Sequence, residues 1–422
     1  MSTLNFIKSF LDRKGGYVVF SSFFIKLITF CISIFIIRFI SKNEFGLLVY
    51  ANTIIAFISP FKGFGIYQGL LRFGSISNSQ QQKKFYFNKV LIKGFFFSSI
   101  IIFALLLLAP FIISNISDSY LYLVFLSFQL ITLLFVDTIK IYARLLNLNK
   151  LYADINIYSN IILLVFVVAF TLIWGSWGYV AALVVSPLLY GIYLSYKLKL
   201  FKYNKFQIPE YNTKQFLSYG FYMSVGGVLS EMLFAVDILL IGNIIKDAEL
   251  IAQYKTSNII PFSLLILPVA IITADFVQLS RMAISDKKEL VKYYWNYLKI
   301  MGVLSVFILL FFYFFSTDLL LIFGKEYSND NNLMFVFSIG TVGALLFRNP
   351  LGNILSAIGW PKINAFFSLI VLIINVIAGY YFITKYGVMG AAYTTIFLMW
   401  FSGILSLFAF IYFIKQPIEQ NQ

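Results

Sequence analysis

Continuous apolar runs of membrane-spanning length constrain this chain more than any other feature. Leu105 to Leu108 and Ile161 to Val165 each sit inside such a run, without alternation of apolar and polar residues. Unpaired backbone groups are costly in hydrocarbon, so a spanning segment must be a helix or part of a closed barrel. Barrel strands alternate, whereas these runs have helix length. The sequence therefore predicts an all-α integral membrane protein.

With about 20 apolar residues for each crossing, the sequence predicts twelve transmembrane helices. Their ranges are 17–40, 46–71, 90–113, 119–140, 152–174, 178–196, 215–244, 250–278, 292–316, 333–357, 363–384 and 388–414. Lys8, Arg13 and Lys14 precede the first apolar run, and no small-residue cleavage pattern follows it. We expect that run to be retained as the first span.

Lysine and arginine are concentrated at one set of helix ends, most densely in the connection from Lys197 to Lys214. Basic loops stay on the cytoplasmic side of a membrane, so both termini are predicted to be cytoplasmic. The net charge of +15 is expected to face anionic lipid headgroups. No motif for stacking bases or reading phosphates accompanies it, which argues against nucleic-acid binding.

The residue inventory removes several kinds of chemistry. The chain has no histidine, and its one cysteine is Cys31, within the first apolar run. A His-based triad, a histidine metal site, a cysteine cluster and an intrachain disulfide are therefore excluded. We interpret Cys31 as a small core residue.

Short matches between the two halves predict an internal repeat. The segment from Gly175 to Gly178 is matched by the segment from Gly387 to Gly390, 212 positions later, and Lys150 is matched by Lys362 at the same spacing. Six spans in each half give parallel repeats about an axis normal to the membrane, and such transporters bind cargo between their halves. We predict an N-terminal six-helix lobe over residues 1–200 and a C-terminal six-helix lobe over residues 201–422, around a central cavity.

Charged residues inside predicted spans are functional candidates, because each costs roughly 2.5–3.5 kcal/mol at the bilayer centre. Lys26, Lys62 and Arg348 are placed near mid-membrane, and Arg38 and Arg72 nearer span ends, where they can snorkel. Lys26 and Lys62 either pair with acids across the bundle or line a hydrated cavity. The first two spans contain no acid at that depth, which favours the cavity.

A cationic cavity suits an anionic cargo, since lysine and arginine hold phosphate oxygens while staying charged. Three further features bear on these groups. Asp137 precedes Lys140 by three residues, which predicts a local ion pair rather than a site. Pro350 follows Arg348 within a span, and it marks either a hinge or a packing kink. Glu231 and Asp237 are acids of the seventh predicted span.

The motif order resembles the multidrug, oligosaccharidyl-lipid and polysaccharide exporter superfamily, and within it the Wzx-type O-antigen and capsule repeat-unit flippases. The motifs are Ile37 to Ile40, Glu44 to Leu47, Gly63 to Ile66, Leu71 to Phe73, Asp237 to Gly242, Phe323 to Tyr327, Gly359 to Lys362 and Gly390 to Ala392. This resemblance implies two lobes around a cavity that opens alternately to each side. It also implies a cargo of undecaprenyl pyrophosphate bearing an oligosaccharide, moved across a bacterial inner membrane.

The same resemblance implies roles for individual residues. Relatives that flip the peptidoglycan precursor have cavity cations on the first two spans, in positions similar to Lys26 and Lys62. Those relatives bind sodium through an acid and polar groups to which Asp237, Asn375 and Thr394 are similar. This chain has Gly379 where they have a second acid, so sodium coupling and proton coupling through Glu231 or Asp237 both stay open. Asn375 and Thr394 are also typical of polar groups that bond neighbouring helices.

The leading hypothesis is a non-enzymatic flippase without a cofactor, in which Lys26, Lys62 and Arg348 hold the pyrophosphate, with Arg72 and Arg38 as further candidates. A polysaccharide polymerase and a chain-length regulator are possible partners. One rival is a drug or cation antiporter of the same superfamily, which predicts an acidic rather than a basic cavity. A second is a membrane polysaccharide polymerase or ligase, which usually needs a sizeable external loop carrying reactive groups, and the external connections here are short.

Overall fold

The structure, a computed structural model, describes residues 15–76, 79–200, 212–268, 271, 279, 282–283 and 286–416. Within those ranges it consists of helices joined by turns and short connections, without a strand. The helices are α1 Gly15–Phe39, α2 Lys42–Ile58, α3 Ile66–Ile76, α4 Gln80–Ile112, α5 Tyr120–Ser127, α6 Gln129–Leu145, α7 Asn149–Lys197, α8 Thr213–Ile244, α9 Ala248–Ser263, α10 Lys287–Leu321, α11 Asn331–Gly343, α12 Asn349–Ala357, α13 Pro361–Tyr386 and α14 Val388–Lys415. Two irregular segments lie between helices: the 3₁₀ turn Ser59–Gly65 between α2 and α3, and the π turn Ala344–Arg348 between α11 and α12.

The all-helical membrane fold predicted from the apolar runs is confirmed. In the described part of the chain, nine helices are long and apolar enough to cross a membrane, and the shorter Ala235–Ile244 is also apolar. The helix α7 counts once among them although it contains two predicted spans, and the predicted span 250–278 extends beyond the described residues. The number twelve stays a prediction.

Short polar side chains fix where several helices begin. Ser41 accepts a hydrogen bond from the backbone N–H of Glu44, whose carboxylate accepts from the Ser41 backbone, so the two form a capping box at the start of α2. Asp247 caps α9, and Asp286 caps α10, each by accepting two backbone N–H bonds. These caps satisfy donors that have no partner within their own helix.

The chain forms two compact units, Met1–Glu231 and Met232–Gln422, which divide within α8. The two six-helix lobes over residues 1–200 and 201–422 stay a prediction. The first part of α8 belongs to the first unit because it packs there. Phe216 lies in the same buried cluster as Leu70 and Phe87, and the Ser224 hydroxyl donates to the Pro60 carbonyl at 2.6 Å.

Each unit has its own packed core. In the first, the buried cluster includes Leu70, Phe87, Leu134 and Ile139, from α3, α4 and α6; in the second, it includes Leu290, Tyr294, Leu351, Ile354 and Phe410, from α10, α12 and α14. Inside a bilayer the hydrophobic effect gives little preference for helix contact over lipid contact. Van der Waals packing of these side chains is therefore what holds each bundle together.

Two tight helical turns repeat at the spacing seen in the sequence. Gly175 has φ 58° and ψ −134°, and Gly387 has φ 60° and ψ −141°. A Cβ on Gly178 would lie 2.0 Å from the Phe170 carbonyl oxygen, and a Cβ on Gly390 would lie 2.0 Å from that of Phe382. Residues eight apart in a straight helix are about 12 Å apart, so the chain reverses direction at both places. The predicted repeat is present at this pair of turns.

Candidate functional sites

The first candidate site is a break in the second predicted span. Pro60 removes a backbone donor there, and the following Lys62, Gly63 and Phe64 have non-helical conformations with φ −50° and ψ 129°, φ 60° and φ 48°. The sequence predicted a continuous span over 46–71. Gly63 permits the positive φ without strain, whereas Phe64 adopts it as a non-glycine residue.

Neighbouring helices satisfy the broken backbone. The Gly63 N–H donates to the Ser98 hydroxyl at 2.9 Å, and the Pro60 carbonyl accepts from Ser224. A Cβ on Gly65 would lie 2.2 Å from the Gly220 carbonyl oxygen, so α8 approaches the break backbone to backbone. Non-helical backbone at membrane depth is tolerated only where protein or a hydrated cavity surrounds it, and here protein supplies the partners.

The break places Lys62 against an acid from α6. Its ammonium nitrogen lies 2.9 Å from the Asp137 carboxylate, and Lys140 approaches the other oxygen of that carboxylate at 3.3 Å. The Lys62 nitrogen also lies 4.8 Å from the centre of the Tyr67 ring, a cation–π contact. One carboxylate thus holds two ammonium groups. We call Lys62, Asp137 and Lys140 the cationic cluster, since its formal charge is +1.

This arrangement corrects one expectation and extends another. Of the two alternatives for Lys62, the hydrated cavity was favoured, but Asp137 pairs with it across the bundle, which is the other alternative. The acid lies 75 positions along the chain, so reading the first two spans alone missed it. The predicted ion pair of Asp137 with Lys140 is present, but it is shared with Lys62. The side chains are 8% exposed for Lys62, 28% for Asp137 and 20% for Lys140.

The remaining predicted cations are not brought together in one place within the first unit. Lys26, Arg38 and Arg72 have exposed side chains on α1 and α3. Arg348 lies in the second unit at the end of the π turn. Their roles as substrate ligands stay predictions.

The π turn that ends at Arg348 is stabilised by hydrogen bonds from a neighbouring helix. A π turn widens the helix and frees carbonyls from their usual partners. The Tyr297 hydroxyl donates to the Leu345 carbonyl at 2.8 Å, and the Tyr294 hydroxyl donates to the Leu346 carbonyl at 3.1 Å. The irregularity therefore precedes Pro350, and two tyrosines of α10 compensate it.

The second candidate site surrounds the buried Asp237 of α8. One carboxylate oxygen accepts from the Tyr254 hydroxyl at 2.7 Å and from the Thr395 hydroxyl at 2.7 Å, and these two hydroxyls lie 3.1 Å apart. Among the described residues no lysine or arginine pairs with this carboxylate. We call Asp237, Tyr254, Thr395 and Asn375 the acidic network.

Two oxygens of this network have no hydrogen-bond partner although they are buried: Oδ1 of Asp237 and Oδ1 of Asn375. The Asn375 side chain lies beside the Asp237 carboxylate. Buried polar atoms are nearly always paired, and hard cations prefer carboxylate and amide oxygens. These residues therefore fit a small cation or a proton on Asp237, although no cluster of three His, Cys, Asp or Glu occurs among the described residues.

The predicted ion-coupling residues differ in whether they contact Asp237. Thr394 donates to the Gly390 carbonyl of its own helix at 2.9 Å, and the adjacent Thr395 makes the contact with Asp237. Thr394 still lies nearby, because a Cβ on Gly379 would be 3.5 Å from Asn375 Oδ1 and 4.0 Å from a Thr394 methyl carbon. The side chain of Glu231 lies outside the described residues. Thr395 was missed because neighbouring helical positions point in directions that only packing distinguishes.

Comparison with solved structures defines the class of fold. The structure is similar to an inward-facing multidrug resistance MATE family transporter of the MOP superfamily, with a TM-score of 0.71 and 13% identity, covering 92% of this chain and 94% of that one. It is equally similar to the lipid II flippase MurJ in an inward closed conformation, with a TM-score of 0.70 and 18% identity, covering 95% and 88%. The chain thus has the fold of MOP superfamily transporters, as its motifs predicted.

Sequence comparison then gives the family. The family model described as polysaccharide biosynthesis protein matches residues 35–330, more than half of the chain, and the protein belongs to that family. The chain is also 28% identical over 221 residues to the "Putative O-antigen transporter" of Shigella flexneri. That match covers 51% of this chain and 50% of the Shigella protein, so the chain spans about half the length of this relative.

Proposed function

We propose that the protein is a flippase that moves an undecaprenyl-pyrophosphate-linked oligosaccharide from the cytoplasmic to the outer leaflet of a bacterial inner membrane by alternating access. Membership of the polysaccharide biosynthesis family and the similarity to an O-antigen transporter support the cargo class. The fold shared with MOP superfamily transporters supports alternating access. Both termini are cytoplasmic in this proposal, and a polysaccharide polymerase and a chain-length regulator act on the delivered cargo.

The observation that carries the proposal is the cationic cluster at the break in the second span. In the resting arrangement Asp137 holds Lys62 and Lys140 in place. A pyrophosphate brings several negatively charged oxygens, which compete with the single carboxylate for the two ammonium groups. Asp137 positions the lysines and keeps both from being buried without a partner, and the surplus positive charge selects an anion.

Arg348 is the corresponding candidate in the second unit, with Lys26, Arg38 and Arg72 as secondary contacts for the cargo. The acidic network binds the coupling ion. Asp237 takes up a proton or a sodium ion, with Asn375 and Tyr254 as oxygen ligands for sodium. Since its carboxylate has hydroxyl partners rather than a lysine or arginine among the described residues, its charge is available to a cation.

Complementation in a strain that lacks its own repeat-unit flippase tests the proposal. The double variant Lys62→Gln and Lys140→Gln should lose surface polysaccharide and accumulate lipid-linked oligosaccharide. Lys140→Gln alone, which keeps the pair between Lys62 and Asp137, should do the same while its amount in the membrane stays near that of the wild type. Lys288→Gln is the matched control, because Lys288 is exposed in the first turn of α10. Full surface polysaccharide in the double variant would refute the role of the cationic cluster.

A drug or cation antiporter is the second candidate, favoured by the acidic network and by the fold shared with multidrug transporters. It predicts efflux of a cationic dye that depends on Asp237 and continues in the Lys62 and Lys140 double variant. Dye efflux without translocation of lipid-linked oligosaccharide would favour this candidate over the flippase.

A further inference from the structure

A groove of about 700 Å³ lies in the first unit beside the break, on the face of α8 that runs from Thr213 to Tyr222. Ligand pockets commonly measure about 300–1,000 Å³. The remaining wall comes from Phe64 at the break and Phe97 on α4, whose rings meet edge to face at 5.4 Å. No residue that lines the groove belongs to the cationic cluster or to the acidic network.

The lining changes character along the helix. Lys214 and Thr213 lie at one end, and Leu217, Phe221 and Tyr222 follow toward the other. Lys214 is exposed, and it immediately follows the basic connection predicted to be cytoplasmic. From Lys214 to Tyr222 a helix rises about 12 Å, close to the depth of one hydrocarbon leaflet, about 15 Å.

Three further observations point to a ligand with a phosphate head and one apolar chain. Lys93 of α4 donates to the Thr213 hydroxyl, so a second ammonium group stands at the same end as Lys214. Phe64 reaches the groove from a backbone with φ 48°, and non-glycine residues in such conformations concentrate at ligand contacts. Phe221 stays about half exposed, although its ring contacts Phe61 at 5.7 Å.

We propose that this groove, defined by Phe64, Phe97, Lys214, Leu217 and Phe221 and called here the chain groove, docks the polyprenyl end of the cargo in the cytoplasmic leaflet. In this docked state, which precedes the engagement of the pyrophosphate by the cationic cluster, the phosphate lies at Lys214, with the Thr213 and Ser218 hydroxyls as further donors. The chain packs along the aromatic rings. A single groove on one helix face accommodates one chain, which fits a polyprenyl lipid better than a two-chain phospholipid. This inference rests on the proposed function, because that function supplies the cargo.

Native mass spectrometry of the purified full-length protein, with undecaprenyl monophosphate as the probe, tests the chain groove. The wild type should bind one molecule in preference to phosphatidylglycerol at equal concentration. Lys214→Glu, which repels the phosphate, and Leu217→Trp, which fills the groove, should each weaken binding about tenfold. Lys288→Glu and Leu310→Trp, at exposed positions of α10, should leave it within about twofold of the wild type.

Several results would overturn the chain groove: no preferential binding to the wild type, unchanged binding in both groove variants, or displacement of the probe by phosphatidylglycerol at equal concentration. Lys214→Glu changes only an exposed side chain, so it remains informative if Leu217→Trp does not fold.

The failure of the proposed function is distinguishable from the failure of the chain groove. The double variant Lys62→Gln and Lys140→Gln should keep undecaprenyl monophosphate binding while it loses translocation. A wild type that binds the probe but translocates no lipid-linked oligosaccharide would refute the flippase and leave the groove standing. Normal translocation by a wild type that does not bind the probe would refute the chain groove and leave the flippase standing.

Discussion

The two units each bury a charged group within membrane-spanning structure, and they satisfy it in opposite ways. In the first unit Lys62 lies on broken backbone and pairs with an acid that a second lysine also contacts. In the second unit Asp237 lies on the continuous helix α8 and is held by the hydroxyls of Tyr254 and Thr395. The cationic cluster therefore has a surplus of formal positive charge, whereas the acidic network is negative when Asp237 is ionised.

In the proposed function this difference separates two tasks, which are to hold the anionic cargo and to bind the coupling ion. A surplus of positive charge on irregular backbone suits a large anion, because phosphate oxygens can replace the carboxylate. A carboxylate held by hydroxyls suits a small cation, which adds to the network without breaking an ion pair. The comparison predicts that removing the acid affects the free energy of unfolding differently in the two units.

The largest difference is expected when each acid is removed in turn. Asp137→Ala leaves two ammonium groups without their counter-ion and should lower the free energy of unfolding by about 3–5 kcal/mol. Asp237→Asn keeps an acceptor for the two hydroxyls and should cost about 1 kcal/mol. Thermal unfolding of the purified variants in detergent would measure both, and equal losses would contradict the comparison.

The break itself should be nearly as sensitive. Gly65→Ala places a Cβ 2.2 Å from the Gly220 carbonyl oxygen at φ 72°, so overpacking and backbone strain should together cost about 2–4 kcal/mol. Gly302→Ala is the matched control, since no atom lies within 4 Å of its Cβ position. It should be neutral or stabilising, by up to about 1 kcal/mol. A Gly65 variant as stable as the control would mean that α8 does not clamp the break.

The acidic network offers a finer test, between neighbouring threonines. Thr395→Val removes a hydrogen bond to Asp237 and should cost about 1–2 kcal/mol, with a clear shift in the ion dependence of transport. Thr394→Val removes only a bond to its own helix, so its effect on ion dependence should be smaller. Transport measured against sodium concentration and against pH would distinguish the two variants, and a larger effect at Thr394 would restore the sequence-based assignment.

The smallest effect is expected at the π turn. Tyr297→Phe leaves the Leu345 carbonyl without its hydroxyl donor and should cost about 1 kcal/mol. Because Arg348 ends this turn, the variant should alter transport more than it alters thermal stability. Unchanged transport would argue against Arg348 as a cargo ligand.

The course of the helices was predictable because the bilayer leaves few alternatives to them. Apolar runs located the spans, and the glycines at 175 and 387 located two turns of the same conformation. The break was not predicted, although Pro60, Gly63 and Gly65 are a signal for it. Its geometry depends on Ser98 and Gly220, which only the folded chain brings near.

The candidate sites were predictable in residue type but only partly in pairing. The absence of an acid from the first two spans favoured a cavity around Lys62, whereas its partner Asp137 comes from α6. Asp237 and Asn375 lie side by side, and the hydroxyl that contacts Asp237 belongs to Thr395, one position after the predicted Thr394. Their roles in ion coupling stay predictions. A shift of one position rotates a side chain by about 100° around a helix. Helix boundaries estimated from hydrophobicity are not accurate to one residue, so they cannot decide which of two adjacent threonines faces Asp237.

The surplus charge of the cationic cluster is tested most directly by Lys140→Gln, assayed for translocation of lipid-linked oligosaccharide in proteoliposomes. The variant keeps the pair between Lys62 and Asp137, so it should fold normally, but the formal charge falls from +1 to zero. We predict that translocation falls about tenfold or more at unchanged thermal stability. Translocation at the wild-type rate would contradict the claim that surplus positive charge at the broken span holds the cargo.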